Sequence, residues 1–152
     1  MKKILIILFL LVIQNNFSQD IVGKWKTIDD KRGITTSIME IYKDHDVYYG
    51  KILVILNENN IEKCTSCEGK YHNKKLQGLE ILRDLVLRDD TYEDGNITDP
   101  ENGKTYSCYL ELVNPSKLKV RGFIGFSLIG RTQYWYKVTK DEEQQYKLKD
   151  YK

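Results

Sequence analysis

The chain has 152 residues, 24 Lys and Arg, 22 Asp and Glu, and a formal net charge of +2 at pH 7, which leaves room for one domain of ordinary size and no second. Lys2 and Lys3 are the only charges in residues 1–19, so a chain trimmed of that segment carries 22 basic and 22 acidic residues and a net charge of 0. A neutral surface offers no electrostatic footprint for nucleic acid and no polybasic segment for an anionic membrane, which sets both partner classes aside.

The first element is a targeting segment. Lys2 and Lys3 precede an unbroken apolar run, Ile4 to Ile13, and a polar stretch, Gln14 to Gln19, the pattern of a signal peptide over residues 1–19. The apolar run falls well short of the about twenty residues a transmembrane helix requires. Cleavage near Ser18 or Gln19 is expected, giving a periplasmic or secreted protein with no membrane anchor. The leader holds no cysteine to carry a lipid.

From Ile21 to Val138 the chain runs as short segments rich in Val, Ile, Tyr, Phe, Trp and Thr, divided by turn residues at all-β spacing. Strands are expected at Ile21–Ile28, Thr35–Tyr42, Val47–Leu56, Leu79–Leu87, Thr91–Thr98, Lys104–Val113, Lys117–Phe123 and Gln133–Val138. The joins are mostly tight and built from Asp, Asn, Pro and Gly, as in Asp99-Pro100-Glu101-Asn102-Gly103. Such joins link antiparallel neighbours. Closure into an up-and-down barrel of about eight strands removes the two edges an open sheet would expose; a two-sheet sandwich is the rival. The barrel domain is thus placed at residues 20–138. The last strand is followed by a charged tail, residues 139–152, expected to be frayed or weakly helical with no apolar face wide enough to dock. The one long connection, Asn57 to Gly78, could lie over a barrel mouth.

Two strands carry informative patterns. In Lys104–Val113 the set Tyr106, Cys108, Leu110 and Leu112 falls on one face, with Ser107, Tyr109 and Glu111 on the other. In Val47–Leu56 both faces become apolar towards the end, which asks for cover on both sides, and the long connection is a candidate for it.

Cys64-Thr-Ser-Cys67 is the strongest local chemical signal. Three cysteines in an exported chain allow three single pairings; an oxidising compartment favours Cys64–Cys67, with Cys108 buried and free. The βα context of a redox-active pair is missing. Cys64, Cys67, His72 and Cys108 would make an acceptable zinc set, but oxidation competes for the same thiols and no metal or other cofactor is expected. His45 and His72 sit in a turn and a loop away from any serine nucleophile motif, so enzymatic function is not favoured. Glu40 and Glu80 alternate with apolar neighbours and are expected on the outer face. Gly122, Gly125 and Gly130 lack the following helix of a phosphate cradle and read as bends or close approaches.

Gly23-Lys24-Trp25, Tyr48-Tyr49-Gly50-Lys51-Ile52, the cysteine pair, Gly78-Leu79-Glu80-Ile81, the Asp99 to Tyr106 stretch and the block from Leu118 to Trp135 together resemble the small exported bacterial proteins grouped as domain of unknown function 2147. That resemblance implies export and a compact β domain, and it brings no reaction with it. The Gly-x-Trp on the first strand also resembles the opening of lipocalin-like barrels, in which a basic side chain of the closing strand lies across the tryptophan. First and last strands of such a barrel run antiparallel, so Trp25 is expected to meet Lys137 rather than Arg131. A core tryptophan beside an incidental glycine is the alternative.

The functional expectation is a barrel that binds a small apolar or amphipathic ligand, with Trp25, Tyr49 and Trp135 as candidate walls. The alternative is a cell-envelope protein with a solid barrel that contacts another protein through its surface. Inward-facing small residues around a void would favour the first; a lumen filled by bulky side chains would favour the second.

Overall fold

The computed structural model describes residues 20–56 and 62–151; the leader lies outside them. Eight antiparallel strands follow one another around a closed barrel: β1 (Gly23–Ile28), β2 (Thr35–Asp44), β3 (Val47–Ile55), β4 (Glu80–Arg88), β5 (Thr91–Thr98), β6 (Thr105–Asn114), β7 (Lys117–Phe123) and β8 (Gly130–Lys137). β8 returns to β1, with Trp25 opposite Lys137 and Thr27 opposite Trp135, so every strand has two neighbours and no edge remains. Up-and-down order puts the β1–β2, β3–β4, β5–β6 and β7–β8 connections at one mouth. The tight β2–β3, β4–β5 and β6–β7 turns share the other end with the segment that precedes β1.

Alternation is broken where the core needs it. Leu82 and Leu85 are three residues apart and both fully buried, which strict two-residue alternation forbids. Asp84 lies between them with φ of 62°, and Asp94 on the facing strand has φ of 61°. The β4–β5 pairing is interrupted there between Arg83–Asn96 and Val86–Glu93 with its register kept, while the register shifts against the outer neighbours β3 and β6. Left-handed backbone at a short polar residue is a tolerated way to insert a bulge, and each bulge returns the next apolar side chain to the interior.

The closing strand starts earlier than the composition predicts, at Gly130 instead of Gln133. Gly130, Arg131 and Thr132 pair with Phe123, Gly122 and Arg121, although they carry no apolar signal of their own.

The tail docks, contrary to the sequence expectation. Thr139 caps the short helix α1 (Lys140–Gln145) through a reciprocal capping box with Glu142. Lys24 Nζ reaches Glu143 Oε1 at 3.1 Å, and Lys26 Nζ pairs with Glu142. Both lysines stand on the outer face of β1, opposite to inward Trp25. Beyond the helix, Leu148 is fully buried against Ile38 and Leu53 on the outside of β2 and β3, with Tyr146 and Tyr151 packed alongside. This second, small core supplies the outer cover that the doubly apolar end of β3 demands. Among the described residues this cover comes from the tail, where the sequence pointed to the long connection.

Candidate functional site

The interior of the barrel divides into two halves. In the half nearer the chain's start, Trp25, Ile41, Tyr48, Leu85, Tyr92 and Leu118 fill the lumen. Tyr48 and Tyr92 meet edge to face with ring centroids 4.8 Å apart, a favourable aromatic arrangement. Asp20 to Val22 passes beneath this plug: Tyr92 OH accepts from Ile21 N and donates to Asp20, each at 3.4 Å.

Lys137 seals the plug from the side. Its Nζ stands 4.5 Å from the Trp25 ring centroid and donates to Val22 O at 2.8 Å. Burial holds its ammonium below the usual lysine range. Trp25 Nε1 donates to Ile21 O at 2.7 Å, so both polar tips at this end are matched. The glycine of Gly-x-Trp has a job here: Gly23 adopts φ of 130°, and a Cβ on it would lie 2.7 Å from Lys137 Nζ. A side chain there would be strained and would displace the lysine.

One step further along every strand the lumen is hollow. Thr27, Met39, Ile52, Ile97, Val120 and Trp135 form the floor and lower wall of a cavity of about 500 Å³, within the range of small-molecule sites. The hollow follows from small inward residues. Ser37 stands one alternation beyond Met39, and Gly122 one beyond Val120, and both line the space. A Cβ on Gly122 would meet only Ile97 and Tyr106, at 3.4 and 3.6 Å.

The mouth mixes polar and apolar character. Glu101, Asn102 and Arg131 stand at an exposed rim, where Arg131 Nη2 pairs with Asp30 at 2.6 Å. Thr27 Oγ1 shares short hydrogen bonds with Thr36 and Ser37, at 2.8 and 2.7 Å. Ile124 and Ile129 line the cavity and are also exposed, and they continue into Phe126 and Leu128, which are 66% and 86% exposed. The Arg121 guanidinium braces this loop, donating to Ser127 O at 2.8 Å and to Thr132 Oγ1 at 2.8 Å.

The described part of the long connection, residues 62–78, packs against the mouth. Cys64 and Cys67 are joined in a disulfide, so two of the three thiols of the conceivable zinc set are consumed. Cys64 Sγ lies 3.6 Å from Pro100 O, and a Cβ on Gly103 would fall 1.8 Å from Ser66 O. The loop backbone thus rests directly on the β5–β6 turn. Arg83 fastens it further, donating to Tyr71 OH at 2.6 Å and to Thr98 Oγ1 at 3.1 Å. Leu76 of the same connection reaches the cavity wall.

Of the three aromatic residues singled out from the sequence, Trp135 lines the cavity. Trp25 lies beneath it in the filled half. Tyr49 faces outward, stacked on Tyr42 at 5.8 Å between ring centroids; its neighbour Tyr48 is the inward one. The outward cluster continues with Tyr42 OH donating to Glu80 at 2.5 Å and Lys51 pairing with Glu40 at 3.0 Å, so both glutamates sit on the outer face. Cys108 is buried and unpaired, and burial pushes its thiol up to about 12. His72 Nδ1 lies 3.0 Å from Cys67 O, within the loop, and His45 Nδ1 lies 2.9 Å from its neighbour Asp44 in an exposed turn. Neither histidine lines the cavity.

A family model described as an uncharacterized protein conserved in bacteria, domain of unknown function 2147, matches residues 23–137, which is the whole barrel from Gly23 to the sealing lysine. The chain belongs to this family. No curated protein matches it in sequence. Among solved structures it is similar to protein HP1028 of Helicobacter pylori, described as belonging to the lipocalin family. The TM-score is 0.73 at 18% identity, covering 84% of this chain and 89% of the other. At that identity the likeness is one of fold, and the fold of this member of the family is a lipocalin-like barrel.

Proposed function

We propose that this protein binds a small apolar or amphipathic molecule in the open half of its barrel, without turning it over. One observation carries this reading: the cavity of about 500 Å³ rests on a filled, sealed floor and opens at one mouth. Its lower wall is largely aliphatic and its rim polar, the arrangement expected of a ligand site that takes an apolar body and leaves a polar end near water. Burial of apolar ligand surface contributes about 25 cal/mol per Å², enough for micromolar affinity after association costs. Export to the periplasm or beyond, after loss of residues 1–19, belongs to the same proposal, and the Cys64–Cys67 disulfide supports it.

Gly122→Leu tests the reading. A Cβ at Gly122 would meet only side chains, at 3.4 and 3.6 Å, so a leucine can enter the cavity without a backbone clash. Wild type screened against fatty acids, sterols, isoprenoids and haem should show a ligand-dependent rise in melting temperature, and Gly122→Leu should fold and lose it. A response unchanged in Gly122→Leu would place binding elsewhere, and no response to any compound class would count against a binder. The exposed Phe126 and Leu128 favour the second reading, a protein partner docked on the β7–β8 loop.

A further inference from the structure

Between its floor and its rim the cavity wall is divided by sides. Three adjoining strands, β8, β1 and β2, turn Gln133, Thr27 and Ser37 to the space, with Thr36 beside them where the β1–β2 register shifts. Across the lumen, β3, β4 and β5 present Ile52, Ile55, Ile81 and Ile97. Two hydroxyls interrupt the rest of the wall, and both already have partners: Thr98 Oγ1 accepts from Arg83 and lies 2.9 Å from Thr105 Oγ1, and Tyr106 OH accepts from Asn102 Nδ2 at 3.1 Å. Gln133 stands two residues from Trp135 towards the mouth and pairs with inward Val120, so alternation gives it to the lumen. Its side-chain amide has no hydrogen-bond partner among the described residues, yet it is not enclosed as the Trp135 indole nitrogen is.

We infer that the ligand carries its polar groups along one face: a flat, uncharged polycyclic alcohol that lays its hydroxyls against β8, β1 and β2 and its bare face against β3, β4 and β5. This rests on the binding reading above and specifies its chemistry. The Gln133 amide both donates and accepts, so a guest hydroxyl can give to it and take from it, whereas a ketone or ether can only take. The hydroxyls of Thr27, Thr36 and Ser37 hold three protons, and the two short bonds among them use two. Their remaining backbone contacts are long, at 3.4 and 3.5 Å. The cluster therefore keeps a proton and lone pairs for a guest. Charge is not called for at this level. Arg131 stands higher, at the rim, held by Asp30, and Asp29 accepts from the backbone N–H groups of Lys31 and Arg32. A ligand turned over would press its hydroxyls on isoleucines and leave Gln133 against hydrocarbon, so polar groups on both sides would lose water without a partner.

The test compares methyl chenodeoxycholate with methyl ursodeoxycholate, uncharged epimers that differ only in whether the two ring hydroxyls share a face, on the protein and its Gln133→Leu variant. Calorimetry below the aggregation limit of either ester should show the shared-face epimer binding wild type about tenfold more tightly, the discrimination expected when one buried hydrogen bond is matched or lost. Gln133→Leu removes an amide that bonds no described residue, and it should fold and bind the two alike. In ¹⁵N-labelled wild type, the side-chain amide signals missing from the Gln133→Leu spectrum should move further with the shared-face epimer than with the other. The epimer comparison in wild type does not depend on the variant folding. Equal affinity of wild type for both epimers, a preference for the split-face one, or a preference that survives Gln133→Leu overturns the inference. If neither epimer binds while a compound of the screen above gives a response that Gly122→Leu abolishes, the inference falls and the cavity reading stands. If no compound of either set binds, both fall.

Discussion

Lys137 lies across the indole of Trp25 at the seam where the eighth strand meets the first, its Nζ 4.5 Å from the ring centroid. The two residues are register partners, so the contact is possible only if the sheet closes. Trp25→Ala should destabilise the protein by about 3–5 kcal/mol, the usual cost of removing a large aromatic from a core. Lys137→Ala should cost about 0.5–1 kcal/mol, since a partly exposed cation on an aromatic face contributes little beyond that. Urea unfolding of both variants checks the pair, and a Trp25→Ala protein as stable as wild type would show that the plug is not a core.

Cys108 sets an alkaline limit. Its thiol has a usual pKa of 9.0 and is pushed up to about 12 in the fold by burial. The folded state therefore holds the proton longer than the unfolded state. The stabilisation is complete below pH 9, where both states are protonated, and is lost progressively between 9 and 12 as the unfolded thiol ionises first. Cys108→Ala should show a shallower decline of melting temperature over that interval. Thiol counting should find no reactive group in the native protein at pH 8 and one after unfolding without reductant, Cys108 alone.

Leu148 should matter more than its surroundings in the charged tail suggest. It is fully buried against Ile38 and Leu53, so Leu148→Ala should cost about 2–5 kcal/mol, whereas breaking the Lys24–Glu143 pair by Glu143→Gln should cost about 0.5 kcal/mol, as for a partly exposed ion pair. Equal effects would mean that charge, and not the apolar contact, holds the tail down.

The β-strand pattern, its turns and the antiparallel order were legible because period-two alternation and Asp, Asn, Pro and Gly turn chemistry are local properties. The Trp25–Lys137 pairing was legible because antiparallel closure fixes which residues face each other. What failed was whatever depends on contacts across space. Adjacent tyrosines 48 and 49 offer the same side chain to opposite faces, and the inward choice follows from the Tyr48, Gly50, Ile52 series, with Tyr49 on the other set. A single leucine at position 148 among polar neighbours has no periodicity to announce it. The cavity depends on how far inward side chains reach across the lumen, which alternation does not report.

Gly103→Ala should unseat the cysteine loop. The added Cβ would collide with the Ser66 carbonyl 1.8 Å away, at a residue with φ of 74°, and backbone cannot yield as a flexible side chain can. Hydrogen exchange should rise across residues 62–76 while β1, β7 and β8 stay protected. Unchanged protection of that loop would show that it is held by other means.

The division of the lumen into a packed base and an open bowl separates what holds the barrel together from what shapes its interior. Folding energy resides in the aromatic and aliphatic plug below the level of Thr27, where a change of one methylene is felt. Above that level the wall faces a space, and a side chain added at Gly122 would reshape the bowl while meeting only Ile97 and Tyr106 at ordinary contact distance. Stability and the shape of the bowl are thus set by different residues of one barrel.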